Sequence, residues 1–106
     1  MKDIAIFGAG GFGREVYLLI QKLNEIKKQW KLVGFFDDNP SVSFGTSHIP
    51  LNYLGTLKEL NEYKRPLDVV IALGDPQAIS KVTSRLTNNN LSYPNIISDD
   101  IIIFDK

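Results

Sequence analysis

Ile4-Ala5-Ile6-Phe7-Gly8-Ala9-Gly10-Gly11-Phe12-Gly13-Arg14-Glu15-Val16 decides the fold of this chain: a short apolar run breaks into Gly8-x-Gly10-x-x-Gly13, and a helical pattern follows at once. Strand, glycine-rich turn and helix in that order are the fingerprint of a nucleotide-phosphate cradle opening a Rossmann-type unit. Each glycine has its own task. Gly8 takes the backbone angles of a tight strand-to-helix turn, Gly10 leaves no Cβ between a pyrophosphate and the main chain, and Gly13 lets the helix lie close on the strand. The helix starting near Gly11 aims unpaired N–H groups and the positive end of its dipole at the phosphates. Ala9, Gly11 and Phe12 complete the loop and join the candidate binding set. A tight βα turn that binds nothing is the alternative reading of the same residues.

An acid is expected at the end of the next strand, about 20 residues on. Lys31-Leu-Val-Gly-Phe-Phe36 reads as that strand, and Asp37 and Asp38 stand at its carboxyl end. Both are candidate binding residues. Asp37 is the one expected to accept hydrogen bonds from ribose hydroxyls or a base, and Asp38 the one expected to make the turn into Asn39-Pro40.

The 106 residues suit one small domain with a single core and leave no room for a two-domain enzyme. Twelve basic and twelve acidic residues cancel. No stretch concentrates Lys and Arg beyond a solvated helix end at Lys27-Lys28, so nothing points to nucleic acid or an anionic membrane surface. The absence of cysteine excludes disulfides, thiolate metal sites and a cysteine nucleophile within the chain. No apolar run approaches spanning length and the sequence opens directly into a strand, so a cytoplasmic location is expected.

Beyond the glycine loop, Val16, Leu18-Leu19-Ile20 and Leu23 recur at helical spacing, which predicts one amphipathic helix from about 11 to 28. Residues 39–50 form a polar loop, followed by a short extended piece through Tyr53-Leu-Gly55. Thr56-Leu57-Lys58-Glu59 has the form of a capping box and predicts a short helix from 57 to about 63. Asp68-Val-Val-Ile-Ala-Leu73 is a continuous apolar run, as a strand buried on both faces requires. Gly74-Asp75-Pro76 closes it, with Asp75 as N-cap of a helix from about 76 to 88 that turns Ile79, Val82 and Leu86 inward. Asn88-Asn89-Asn90 stops that helix, and Leu91 to Ile97 resume as extended chain. Strands alternating with helices give a Rossmann-like α/β fold, three layers around a parallel sheet with right-handed crossovers.

In such a sheet the ligand lies beyond the carboxyl ends of the strands, where the chain order reverses. The glycine loop, the two acids and Gly74-Asp75 all reach that edge, so Gly74 and Asp75 join the candidate set, with capping alone sufficient to explain Asp75. The tail Ile96-Ile97-Ser-Asp-Asp-Ile-Ile-Ile103-Phe104-Asp105-Lys106 is strongly apolar and has no later element to bury it. It reads either as an edge strand or, since Ile97 and Ile103 stand six residues apart, as the start of hexapeptide repeats. The chain thus divides into a Rossmann-like domain, residues 1–95, and a start of or linker to a further domain, residues 96–106.

Taken together, Gly8-Ala-Gly-Gly-Phe-Gly-Arg-Glu-Val16, Gly34-Phe-Phe-Asp-Asp-Asn39, Tyr53-Leu-Gly-Thr56 and Val70-Ile-Ala-Leu-Gly-Asp75 resemble the N-terminal domain of sugar acyltransferases of the sialic acid O-acetyltransferase family. That family includes the enzymes that N-acetylate UDP-4-amino sugars. The resemblance runs through the whole chain and implies a domain that binds a nucleotide sugar, expected to be UDP-linked. It further implies a following left-handed β-helix that binds acetyl-CoA, forms a homotrimer, and would begin where this sequence stops. By the same resemblance the glycine loop would hold the diphosphate, Asp37 would meet uridine or ribose, and Gly74 would form part of the opposite wall. The family's catalytic histidine belongs to the β-helix, so no catalytic residue is expected in this chain, and His48, in the polar loop, is assigned none. Phe12 stands where many members carry histidine, and Ile79 where an arginine often follows the Gly-Asp turn, which removes a fork-shaped contact to phosphate or carboxylate. An NAD(P)-type dinucleotide module is the competing function, since a nicotinamide cofactor uses the same glycines and acid. It would need a second half to hold nicotinamide, and none is visible. A domain that keeps the fold without a ligand is the third reading.

Overall fold

Ile4 to Phe7 lose essentially all contact with solvent, which a strand achieves only between two covered faces. They lie in β1 (Lys2–Phe7), the middle strand of a sheet that also holds β2 (Trp30–Phe36), β3 (Tyr53–Gly55), β4 (Leu67–Ile71) and β5 (Leu91–Ser92). The order is β3-β2-β1-β4-β5 and every pairing is parallel. The computed structural model describes residues 1–39, 51–94, 96–97 and 102–103. The expectations for His48, for the loop from 40 to 50 and for most of the tail fall outside those residues.

Helices α1 (Gly11–Ile26), α2 (Leu57–Asn61) and α3 (Pro76–Arg85) join the strands. Alternation along β1 sends Ile4 and Ile6 to one face, where Val16, Leu19 and Ile20 of α1 pack with Phe35 and Val70. Ala5 and Phe7 face the other side, with Leu60 of α2, Val82 of α3, Leu86 and Phe36. The three-layer Rossmann-like fold expected from the sequence is therefore the fold observed. Leu18 departs from expectation, being half exposed. At 100° per residue the buried stripe takes positions 16, 19, 20 and 23, and 18 falls on the opposite side.

The helices end earlier than their periodicity suggests, and side-chain amides are the reason. Asn24 donates from Nδ2 to the Trp30 carbonyl (2.9 Å), while its Oδ1 accepts from the N–H groups of Gln29 and Trp30 (3.2 Å each). This clamp turns the chain into β2 right after α1. Asn88 does the same beyond α3, donating to the carbonyls of Leu60 and Tyr63. Trp30 then reaches across to β4, its Nε1–H donating to the buried Asp68 carboxylate at 3.1 Å.

The capping box is present. The Thr56 N–H and hydroxyl both donate to Glu59 Oε1 (2.7 Å each), and the Lys58 N–H donates to Thr56 Oγ1. These bonds, the backbone one first, hold the Glu59 carboxyl below its ordinary pKa. A depressed carboxylate contributes stability that is full above the ordinary glutamate range and is lost as the pH falls through and below it. Acid titration followed by circular dichroism should show Glu59→Gln closing part of the stability gap to the parent as pH drops, because the parent alone loses this contribution. Curves that stay parallel would rule it out.

The tail isoleucines form β6 (Ile96–Ile97) and β7 (Ile102–Ile103), an antiparallel pair in a sheet of its own and not on either edge of the parallel sheet. No helix of the described residues is long and apolar enough to cross a membrane.

Candidate nucleotide-binding site

From β1 the chain moves outward through β2 to β3, then crosses back to lay β4 on the other side of β1. The reversal puts a crevice between the carboxyl ends of β1 and β4, the place where open α/β sheets take ligands. Gly8 forms its floor. With φ at +113°, a Cβ there would stand 2.6 Å from the Ala72 carbonyl oxygen and 3.0 Å from Leu73 Cδ2. Backbone bonds fix the approach: Ala72 N–H donates to the Phe7 carbonyl and Gly8 N–H to the Phe36 carbonyl, both at 2.8 Å.

Gly10 differs, because it is exposed and no atom lies within 4 Å of where its Cβ would be. It is the N-cap of α1 and supplies no side chain, and the first turn carries no acid. The other two helix starts are occupied: Thr56 and Asp38 serve α2, and Asp75 Oδ1 accepts from the Gln77 N–H of α3 at 3.0 Å. Of the three helices, α1 is thus the one without a capping side chain at its start, and the space off Gly10 beside the crevice is open.

Asp37 sits against this loop. Its Oδ2 accepts from the Ala9 N–H at 3.0 Å and its Oδ1 from the Asn39 N–H at 2.9 Å. Asp38 instead reaches α2, its Oδ1 accepting from the Leu57 N–H at 3.0 Å. The turn contact expected of Asp38 is therefore made by Asp37, while Asp38 crosses to the start of a helix. Neighbouring residues at a strand end point to opposite sides, which accounts for the division.

A family model, that of the PglD N-terminal domain, matches residues 3–86 and so spans the glycine loop, both acids, the capping box and Gly74-Asp75. The chain belongs to the PglD N-terminal domain family. No curated protein and no solved structure matches it. PglD is an acetyltransferase, so membership carries the coarse part of the resemblance: this is an N-terminal domain of the sugar acetyltransferase kind.

In this PglD-type domain the remaining candidates are placed as follows. Gly11 opens α1, and Gly13 is buried within it. Phe12 is half buried against the core on the α1 side, so its ring packs inward at least in part. Gly74 is exposed with open space around it, and Asp75 is engaged as a cap. Ile79 is half buried, Val82 and Leu86 fully so. A hollow of about 440 Å³ lies at the opposite, amino edge, lined by residues that include Lys2, Asp3, Arg65 and Asp68. It lacks the glycine-loop amides, which lie at the carboxyl edge. Among the described residues there is no group of three or more His, Cys, Asp or Glu able to hold a metal ion.

One contributor to the site was not anticipated. Tyr53, the first residue of β3, donates its hydroxyl to the Asp37 backbone carbonyl at 2.9 Å. In the sequence Tyr53 stands in the motif Tyr53-Leu-Gly-Thr56 that carries the resemblance, with no role of its own attached to it.

Proposed function

We propose that this PglD-type domain binds a UDP-linked amino sugar in the cytoplasm and presents it for acetylation by acetyl-CoA held in a following β-helix domain of a homotrimer. The observation that carries the reading is the uncapped start of α1 at the open Gly10, inside a chain of the PglD N-terminal domain family. The diphosphate lies over Gly10, where Gly11, Phe12 and Gly13 supply backbone donors and the helix dipole favours negative charge. Asp37, acceptor-only when ionised, takes hydrogen bonds from ribose hydroxyls or a base N–H and repels a further phosphate there. Gly74 leaves the opposite wall free of side chain. Acetyl-CoA supplies the thioester: the sugar's amine or hydroxyl attacks its carbonyl carbon, the C–S bond breaks, coenzyme A leaves as the thiolate, and a base outside this chain takes the proton. This domain contributes position and binding energy to that step.

The test is calorimetric titration of the chain with a UDP-linked amino sugar, UDP and NAD, beside Gly10→Ala. At φ −74° an alanine fits Gly10 without strain and meets nothing, and a poorer N-cap is offset by a less flexible unfolded chain. Stability should therefore stay within about 1 kcal/mol of the parent. Affinity for the UDP ligands should fall about tenfold or more, because the new methyl stands where the diphosphate approaches. Tight NAD binding without UDP binding would replace this reading with a dinucleotide module, and UDP binding indifferent to Gly10→Ala would move the diphosphate elsewhere.

A further inference from the structure

Asp37 is held by its backbone as well as by its carboxylate. Its N–H donates to the Gly55 carbonyl at 3.0 Å, and its own carbonyl accepts the Tyr53 hydroxyl at 2.9 Å. The peptide groups on both sides of its Cα are thus tied to β3. With the Cα fixed, the carboxylate is left facing the Ala9 N–H of the glycine loop, at 3.0 Å.

The Tyr53 ring is itself held in place. It lies tilted against Phe35, with ring centroids 5.4 Å apart, and remains 38 % exposed. Desolvation first, then the charges of Glu59, Asp37 and Asp38, raise its phenol above the ordinary pKa, so the hydroxyl keeps its proton to donate across the neutral range. Packing on Phe35 needs only the ring. The bond to Asp37 needs the oxygen, and that oxygen spans sixteen residues of sequence to reach the Asp37 carbonyl.

We infer that Tyr53 is a positioning residue of the nucleotide site: its hydroxyl fixes the Asp37 peptide so that the carboxylate faces the glycine loop, and nucleotide affinity depends on that hydroxyl. The inference rests on the UDP reading above for its ligand, and on geometry alone for the positioning. A phenylalanine in its place keeps the ring and its packing while freeing the Asp37 carbonyl, so the fold is retained and the aim of the carboxylate is lost.

The experiment pairs two readouts on Tyr53→Phe. Amide hydrogen exchange by NMR follows the Ala9 N–H, which needs no ligand, and calorimetry follows UDP. Exchange at Ala9 should quicken about fivefold to tenfold while amides of β1 and β4 stay as in the parent, and UDP affinity should fall by a similar factor. In an Asp37→Asn background, Tyr53→Phe should weaken UDP by clearly less than in the parent, because the two residues act through one contact. Unchanged exchange at Ala9 would overturn the positioning, and equal losses of affinity in both backgrounds would overturn the claim that Tyr53 acts through Asp37. A parent chain that ignores UDP, with exchange at Ala9 still raised by Tyr53→Phe, would remove the nucleotide reading and the affinity claim while leaving the positioning of Asp37 in place.

Discussion

Gly8→Ala should lower the stability of this chain by about 3 kcal/mol or more. Two costs combine. A non-glycine residue at φ +113° carries strain on the order of 1–3 kcal/mol. The new Cβ would also press to 2.6 Å on a backbone oxygen, that of Ala72, which cannot rotate aside as a side chain would. Relief requires β1 and β4 to part at the sheet's centre, where Ala72 N–H and the Phe7 carbonyl bond at 2.8 Å. A domain of this size holds about 5–15 kcal/mol in all, so thermal unfolding should move down by well over 10 °C. A melting curve shifted by only a few degrees would mean that the loop swings away from β4 cheaply. It would also mean that the crevice floor is softer than its hydrogen bonds imply.

Asp37→Ala should have the largest effect on binding, a loss of about tenfold to a hundredfold in affinity for UDP ligands, with a stability cost of about 1–3 kcal/mol. The stability cost arises because Ala9 N–H and Asn39 N–H both lose their acceptor. The affinity cost arises because a ribose or base donor then meets a methyl group. Asp37→Asn separates the two. Its amide oxygen still accepts from Ala9, so stability should recover toward the parent, while one of the two acceptor oxygens has become a donor and affinity stays low. If Asp37→Ala weakens the fold yet leaves UDP affinity intact, the acid is a loop tie and not a ligand. Gly10→Ala serves as the opposite control, since it is expected to spare the fold and harm only binding.

The parts of this architecture that show in the sequence are those written in local patterns. The apolar run Ile4–Phe7 ahead of Gly8 announces a doubly covered strand, Thr56 and Glu59 announce a helix start, and Asp75-Pro76 announces another. These depend on residues within a few positions of one another. What the pattern does not reveal depends on contacts between distant segments. The Trp30 indole to Asp68 spans 38 positions, the Asp38 carboxylate to Leu57 spans 19, and the Tyr53 hydroxyl to Asp37 spans 16. No periodicity encodes such pairs. Asp38 reads as turn chemistry because a following Asn-Pro is a turn signal, yet its carboxylate accepts from an N–H at the start of a helix made from residues much later in the chain. Helices α1 and α3 stop short of their sequence pattern for a related reason: helical spacing continues past Ile26 and Arg85, but Asn24 and Asn88 bind the backbone that turns away. The glycines are legible as a motif with a separate task for each, while the close approach of the Ala72 carbonyl to Gly8 depends on a segment far along the chain.

Among the described residues the sheet ends in β3, three residues closing on a glycine, and in β5, two residues. A foreign strand looking for a template along either margin finds too few free amides and carbonyls to form a ladder of useful length. Parallel sheets gather slowly, because every pairing joins segments far apart in the chain, and partly formed molecules expose such margins while they wait. Short borders guard this domain against self-adhesion during that interval, and they keep copies brought close together from zipping edge to edge.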